Sequence, residues 1–344
     1  MLEHISIPFE ALTVFMGLMN DLRASLNKLL IDGDYREFSE ETEMHCAARL
    51  SDMFDAYYKN LSSKSVEERE HFMVQETKMW AEAKGVGLPN FLSRSLFANL
   101  LQKPINEMLR SSLGLTSNVW DYVEEVMLRV INSVFGSYPH LQTAAARAFQ
   151  ALVSEKKNEC IQYVSQLMEM EKSMDFTLNP LYMETWTRLF QQKDKFMQGV
   201  GKLIATEAYR QMGKAEKKVI LIEGMGEVNV AEVMKISTDQ LEVAFDMKMR
   251  LVAYWRVVIQ RVGDRIPLYL QYVYQNLIKI DLEGEIMKEV SGSKLTTLLE
   301  KMMEESPDIS TRRRNLKARV DSLVEAKKEV SKIIGQKGIV GAEE

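Results

Sequence analysis

An all-α fold, an elongated antiparallel helical bundle, is what this sequence predicts, and three observations carry the expectation. Apolar residues recur at helical spacing almost from end to end. The helix breakers serve as punctuation: proline is scarce at 7 residues, and many of the 17 glycines fall between periodic segments. The stretches His140–Lys172 and Asn179–Met212 each read as about thirty residues of helix, about 45 Å, against an average helix of about 11–12 residues. Such pairs pack antiparallel into a rod.

Taken in order, the first helix runs from Pro8 to Leu30 and stops at Ile31-Asp32-Gly33-Asp34. A second covers about Ser39 to Leu61. A third starts at Ser65, where Ser65 and Glu68 form a capping box, and ends near Lys84. Gly85-Val86-Gly87-Leu88-Pro89-Asn90 breaks the pattern. The next helix begins near Phe91, meets Pro104 and halts around Leu113-Gly114, and another spans Thr116 to Phe135. The two long helices follow, and Gly213–Ala231 is the one stretch that leaves helical character for long. Ser237 with Gln240 offers a second capping box. Helices over 237–262 and 266–290 then meet at Gly263-Asp264-Arg265-Ile266-Pro267, and Leu241, Phe245, Leu251, Tyr254, Trp255, Val258 and Ile259 cover most of the first one's circumference. Helices apolar nearly all round belong in a bundle core or between subunits. The last helix is narrower. Leu316, Val320, Leu323, Val330 and Ile334 form an a/d-like seam interrupted by Lys327.

Composition excludes several classes. The 344 residues are 46% hydrophobic, enough for a sizeable core and against disorder. A net charge of −5 gives no global field for nucleic acid. Cys46 and Cys160 are too sparse for a disulfide framework or a zinc site and fit a reduced cytosolic protein. The apolar run Ala11–Met19 is too short to span a bilayer, and no basic region precedes it, so neither a signal peptide nor a transmembrane helix is expected. His4, His45, His71 and His140 are scattered, with no i, i+4 partner to make a metal pair. Nothing assembles a nucleophile, base and orienter.

Several segments resemble the dynamin superfamily, with the flavour of the Mx proteins and of plant dynamin-related proteins of the fourth type. IPLYLQYVYQ at Ile266–Gln275 and STRRRNLKARVDSL at Ser310–Leu323 look like its GTPase effector region. GVGLPNFLSRSLFANLL at Gly85–Leu101 looks like the LPxF segment that opens a long stalk helix. SYPHLQTAAARAFQALV at Ser137–Val153 and MEMEKSMDFTLNP at Met168–Pro180 resemble the plant proteins. The resemblance covers nearly the whole chain. It implies middle-domain stalk helices over 1–212, an exposed tip loop over 213–236 and effector stalk helices over 237–306. The last helix of the signalling element would span 307–334, and 335–344 would be a flexible tail.

The family's N-terminal GTPase domain has no counterpart, and the chain reads as starting beyond it, inside the first stalk helix. A phosphate-cradling loop needs Gly-x-x-x-x-Gly-Lys-Ser/Thr between a strand and a helix. Gly201-Lys202 and Gly213-Lys214 are instead followed by Leu and Ala. GTP and Mg, which the family binds in that domain, are therefore not expected as cofactors of this chain. The signalling helix lacks its two partners, which predicts either an intermolecular partner or poor order for it.

Four places compete for a role. The run KKVILIEGMGEVNV at Lys217–Val230 mimics the start of a dinucleotide-binding unit, but Asn229 stands where a third glycine is needed. The plainer reading is an exposed loop between stalk helices. Its position matches the tip that relatives use for membrane or target contact, so Lys214, Lys217 and Lys218 beside Ile220 and Leu221 would meet anionic lipid. Glu223 and Glu227 weaken that case. Arg312-Arg313-Arg314 sits near a helix N-terminus, where the macrodipole disfavours cations, which suggests acidic partners or a solvated face. By position, Arg313 matches the family arginine that couples the signalling helix to a neighbouring stalk. Tyr272 and Met287 fall where the family uses apolar residues for stalk–stalk contact, with ordinary bundle core as the equal alternative.

The expected function is that of a non-catalytic, self-assembling stalk. Its implied partners are itself or full-length dynamin-related paralogues, with an anionic membrane or a cytoskeletal filament as target, and no nucleic acid. Its expected location is cytoplasmic, peripheral on membranes. Two alternatives stand beside it: a fragment of a full-length enzyme that hydrolyses GTP, and a free-standing regulator of full-length paralogues.

Overall fold

The computed structural model describes residues 6–63, 69–82, 94–209, 218–290 and 307–340. Among these the all-α expectation holds, with one two-stranded hairpin added. Ten α-helices are described: α1 (Ser6–Asn27), α2 (Cys46–Ser63), α3 (Val74–Glu82), α4 (Arg94–Phe135), α5 (Pro139–Ser173), α6 (Pro180–Phe190), α7 (Lys193–Tyr209), α8 (Thr238–Asn276), α9 (Leu282–Val290) and α10 (Pro307–Val340). Strands β1 (Val219–Ile222) and β2 (Gly226–Asn229) pair antiparallel, with Val219 opposite Asn229 and Ile222 opposite Gly226.

Two compact units share these elements. The first gathers residues 1–46, 123–154 and 275–344, and the second 47–122 and 155–274. In the first, α1 continues into a π-turn at Lys28–Asp32, ended by Gly33 in the left-handed region (φ 68°), where a residue without Cβ is unstrained. Phe15, Leu22, Leu26 and Leu29 of α1 and its π-turn are fully buried, as are Val130, Ile131, Phe135, Leu141 and Phe149 of α4 and α5. Arg129 gathers Glu43 and Glu125 at 2.9 and 2.8 Å on the surface, where such pairs add little to stability.

The second unit centres on aromatic packing. Phe196 meets Phe72 edge-on (centroids 5.8 Å) and Phe245 tilted (4.8 Å), and all three are fully buried. Beside them lies a buried ion pair. Lys248 Nζ of α8 stands 3.0 Å from Glu76 Oε1 of α3, with side-chain exposures of 0% and 1%. The Glu76 carboxylate has no hydrogen bond of good geometry, so its charge is balanced by the ammonium rather than by directed donors.

Several boundaries differ from those expected. Helix α4 does not stop at Leu113-Gly114. Ser112 and Thr116 are fully buried and bond back to Met108 O (2.8 Å) and Ser112 O (2.9 Å), while Gly114 faces open space. Helix α8 runs through Gly263–Pro267 without a break. Proline removes one backbone donor and strains the turn before it, at about 3 kcal/mol. Burial of Val262, Ile266 and Leu270 on both sides keeps the helix going. The second helix begins at Cys46, not Ser39, after 3₁₀ turns at Arg36–Phe38 and Thr42–Met44. The capping box at Ser65 lies outside the described residues, as do Lys214 and Lys217.

Candidate functional site

Helix α8 begins with Leu241 N donating to Ser237 O at 3.0 Å. It then buries most of its circumference over Leu241–Val258, as its all-round apolar pattern requires. Past Pro267 the pattern changes. Leu270, Val273 and Tyr274 stay inside, while Leu268 and Tyr272 are 68% and 62% exposed. Four residues apart, these two lie on one helix face, so Tyr272 belongs to an exposed apolar face and not to the core. Its neighbour Tyr269 is otherwise engaged: it stacks on Tyr163 at 3.8 Å and donates to Glu159 at 3.1 Å. Burial and the Glu159 carboxylate both push the Tyr269 hydroxyl above its ordinary range.

Met287 lies on α9 in the other unit, half-buried between the buried Ile286 and Val290. Arg313 is exposed on α10 together with Arg312 and Arg314. The apolar seam of α10 is exposed as well: Leu316 51%, Val320 55%, Leu323 69% and Val330 55%. The side chain of Ile334 is outside the described residues.

The segment expected as an exposed tip loop is a docked hairpin over its described part. Gly224 (φ 85°) and Gly226 (φ 92°) take left-handed conformations that other residues resist, and they close the turn. Ile222, Met225, Val228, Val230 and Val233 are buried. An isolated two-stranded hairpin is marginal in water, so this burial holds it. Gln192 adds a clamp: its amide accepts from Glu223 N (2.7 Å) and donates to Glu223 O (2.9 Å). That clamp sits at the break between α6 and α7, where one continuous helix was expected. Ile220 packs toward Gly199, and Lys218 is half-buried, which leaves Leu221 (71% exposed) as the apolar residue that the hairpin presents.

Sequence reasoning misses a second exposed apolar region. Met174, Phe176, Leu178 and Met183 are 60%, 65%, 85% and 53% exposed around the turn between α5 and α6. The turn backbone is fixed from below. Tyr254 donates to Met174 O (3.1 Å), Arg261 donates to Phe176 O (3.3 Å), and Asn179 caps α6 by accepting from Leu181 N (3.0 Å). Arg261 also pairs with the buried Glu171 through two bonds of 2.7 and 2.5 Å. Burial opposes the Arg261 charge, but Glu171 outweighs it and holds the guanidinium above its ordinary range. Phe176 and Leu178, one residue on either side of Thr177 and just ahead of Asn179-Pro180, are the legible sign: apolar side chains on a capped turn.

Among the described residues no group of three His, Cys, Asp or Glu side chains is placed to hold a metal ion. None of the described helices is long and apolar enough to cross a membrane.

Comparison with known proteins places this architecture. Residues 3–191 match the family model described as the dynamin central region, and residues 240–333 match the dynamin GTPase effector domain. Dynamin-related protein 4C of Arabidopsis thaliana is 33% identical over 327 residues, covering 95% of this chain and 47% of the relative. The interferon-induced GTP-binding protein Mx of Ctenopharyngodon idella is 20% identical over 293 residues (85% and 40%). The interferon-induced GTP-binding protein Mx1 of Mus musculus is 19% identical over 316 residues (92% and 44%). The chain spans less than half the length of these relatives. Through its central region and its effector domain together, the chain belongs to the dynamin family.

Proposed function

We propose that this chain is a self-associating stalk that does no chemistry of its own. The observation that carries the reading is the outer face of α8, where Leu268 and Tyr272 hold apolar surface in water on a helix otherwise committed to a core. Exposed apolar residues that lie together mark contact surfaces. Met287 on α9 and Arg313 on α10 are assigned to further contacts between copies. GTP binding and hydrolysis are assigned to a GTPase domain, carried either by a longer form of the same protein or by a full-length paralogue that co-assembles with it. Target contact, whether with an anionic membrane or with a filament, is assigned to Lys214, Lys217, Lys218 and Leu221, with Phe176 and Leu178 adding apolar surface. Peripheral association is the mode this implies.

Light scattering after size exclusion, at several protein concentrations and two salt strengths, tests the proposal. An apolar interface gives a mass that climbs with concentration and is held or raised by salt, because screening does not weaken it. A contact led by Arg313 weakens as salt rises. A fixed monomer mass under all conditions contradicts self-association.

A further inference from the structure

Between α2, α6 and α8 of the second unit lies a half-open cavity of about 300 Å³. That is the lower end of the range of small-molecule sites, room for a compact ring or a short branched chain. Much of the lining is apolar: Leu181, Val252, Trp255 and Ile259, together with Tyr58. The mouth is cationic. Arg188 and Arg256 both line it, and both reach the hairpin turn at Gly224.

The two arginines are held differently. Arg256 is fixed, donating from Nη2 to Gly224 O at 2.7 Å. Arg188 Nη2 lies 3.7 Å from where a Cβ on Gly224 would stand, and Arg188 forms no ion pair among the described residues. Other arginines of this unit have carboxylates: Arg250 pairs with Asp246 and Arg261 with Glu171. Arg188 and the fixed Arg256 converge on one turn, and with no acid set against Arg188 its positive charge stands beside an apolar hollow. The guanidinium fork matches phosphate and carboxylate oxygens two at a time. Thr185 belongs to the same lining.

We infer that this cavity binds a small amphiphilic anion: a compact apolar body carrying one phosphate or carboxylate group. The body sits against Trp255, Ile259 and Tyr58, and the anion bridges Arg188 and Arg256. The site is separate from the assembly face at Leu268 and Tyr272 and does not depend on it. Because the anion would bear on the arginines that flank Gly224, occupancy also stiffens the hairpin turn.

Isothermal titration calorimetry on the full chain tests this, with phenyl phosphate and phenylacetate as probes. Inorganic phosphate and benzyl alcohol supply the anion and the apolar body separately. One or both amphiphilic anions should saturate with a Kd of about 1 mM or tighter, and each half-probe should bind at least about tenfold more weakly. Whichever anion is preferred identifies the headgroup. Arg188→Gln, at an exposed position, should weaken the amphiphile at least about tenfold with unchanged circular dichroism. Ser62→Trp, at the rim, should block the cavity. Absence of saturable binding overturns the inference, as does equal binding by Arg188→Gln. Equal binding of inorganic phosphate would reduce the site to a surface charge patch, and equal binding of benzyl alcohol to a plain apolar void. If no probe binds while Arg188→Gln or Ser62→Trp changes the mass seen by light scattering, the cavity receives a second copy and the inference fails.

Discussion

The buried pair of Lys248 and Glu76 allows a prediction whose sign depends on whether one partner or both are removed. At 3.0 Å the mutual attraction is about 5 kcal/mol with an effective dielectric constant of ~20. Taking each ion out of water costs several kcal/mol, so the pair as a whole adds little. Removing one partner is a different matter. Glu76→Leu takes from the fully buried Lys248 ammonium the carboxylate 3.0 Å away, and the Phe72 ring centroid at 6.0 Å is a weak substitute for it, while Lys248→Met strands a carboxylate that already lacks directed donors. Each single change should cost about 3–5 kcal/mol. The double change Glu76→Leu/Lys248→Met keeps the volume and buries no charge, so it should fall within about 1 kcal/mol of the starting protein or exceed it in stability. Urea denaturation followed by far-ultraviolet circular dichroism reads all four corners of the cycle. Single changes costing under about 1 kcal/mol, or a double costing the sum of the two, would refute the reasoning.

Other positions give sharp outcomes as well. A Cβ at Gly263 would lie 2.7 Å from Tyr58 Cδ2. Gly263→Ala should therefore displace that ring and weaken phenyl phosphate binding, while its helix propensity gain of about 1 kcal/mol offsets most of the strain in a melting curve. At Gly226 (φ 92°), Gly226→Ala should cost about 1–3 kcal/mol of local stability, seen as faster hydrogen exchange at the Val228 and Val230 amides. Burial pushes the Cys160 thiol up to about 11 and the Tyr57 hydroxyl up to about 12. Both ionise at lower pH in the unfolded chain, so the folded state holds the extra protons. Stability should fall as pH rises from about 9 to about 12, by about 1.4 kcal/mol for each tenfold difference in proton affinity between the folded and unfolded chain. A urea midpoint that stays flat over that window would count against the burial of both groups. For the same reason Cys160 should react with a thiol reagent at neutral pH only after denaturant is added.

How far the fold can be read from residues depends on what each element rests on. The long helix α5 is legible almost to the residue, since periodicity and the flanking Ser137–Pro139 and Asp175–Pro180 signals agree. Helices α4 and α8 run on where glycine and proline, taken as local breakers, would end them. Burial on both sides of Gly114 and of Pro267 overrides that preference, and it depends on residues distant in sequence. The hairpin is visible as a β-like run with glycines, but its docking is not. The clamp from Gln192 and the burial of Val228 and Val230 involve partners some thirty residues away in sequence or further. Tyr272 is a candidate by resemblance, and its exposure distinguishes it from the core residues around it. The exposed turn at Phe176 leaves a faint mark, the apolar Phe176 and Leu178 just ahead of Asn179-Pro180, while the ion pair of Lys248 with Glu76 and the cavity with Arg188 leave none. Each joins residues whose separate contexts are ordinary.

The central claim, that the outer face of α8 joins copies of this chain, meets its most direct test in sedimentation velocity of the starting protein against Leu268→Asp/Tyr272→Asp. Both side chains are exposed, so the double variant should fold with unchanged circular dichroism. The account predicts a sedimentation coefficient that rises with concentration for the starting protein and is lost or shifted to at least about tenfold higher concentration in the variant. Matching, concentration-dependent association in both proteins would contradict it, as would a starting protein that stays monomeric throughout.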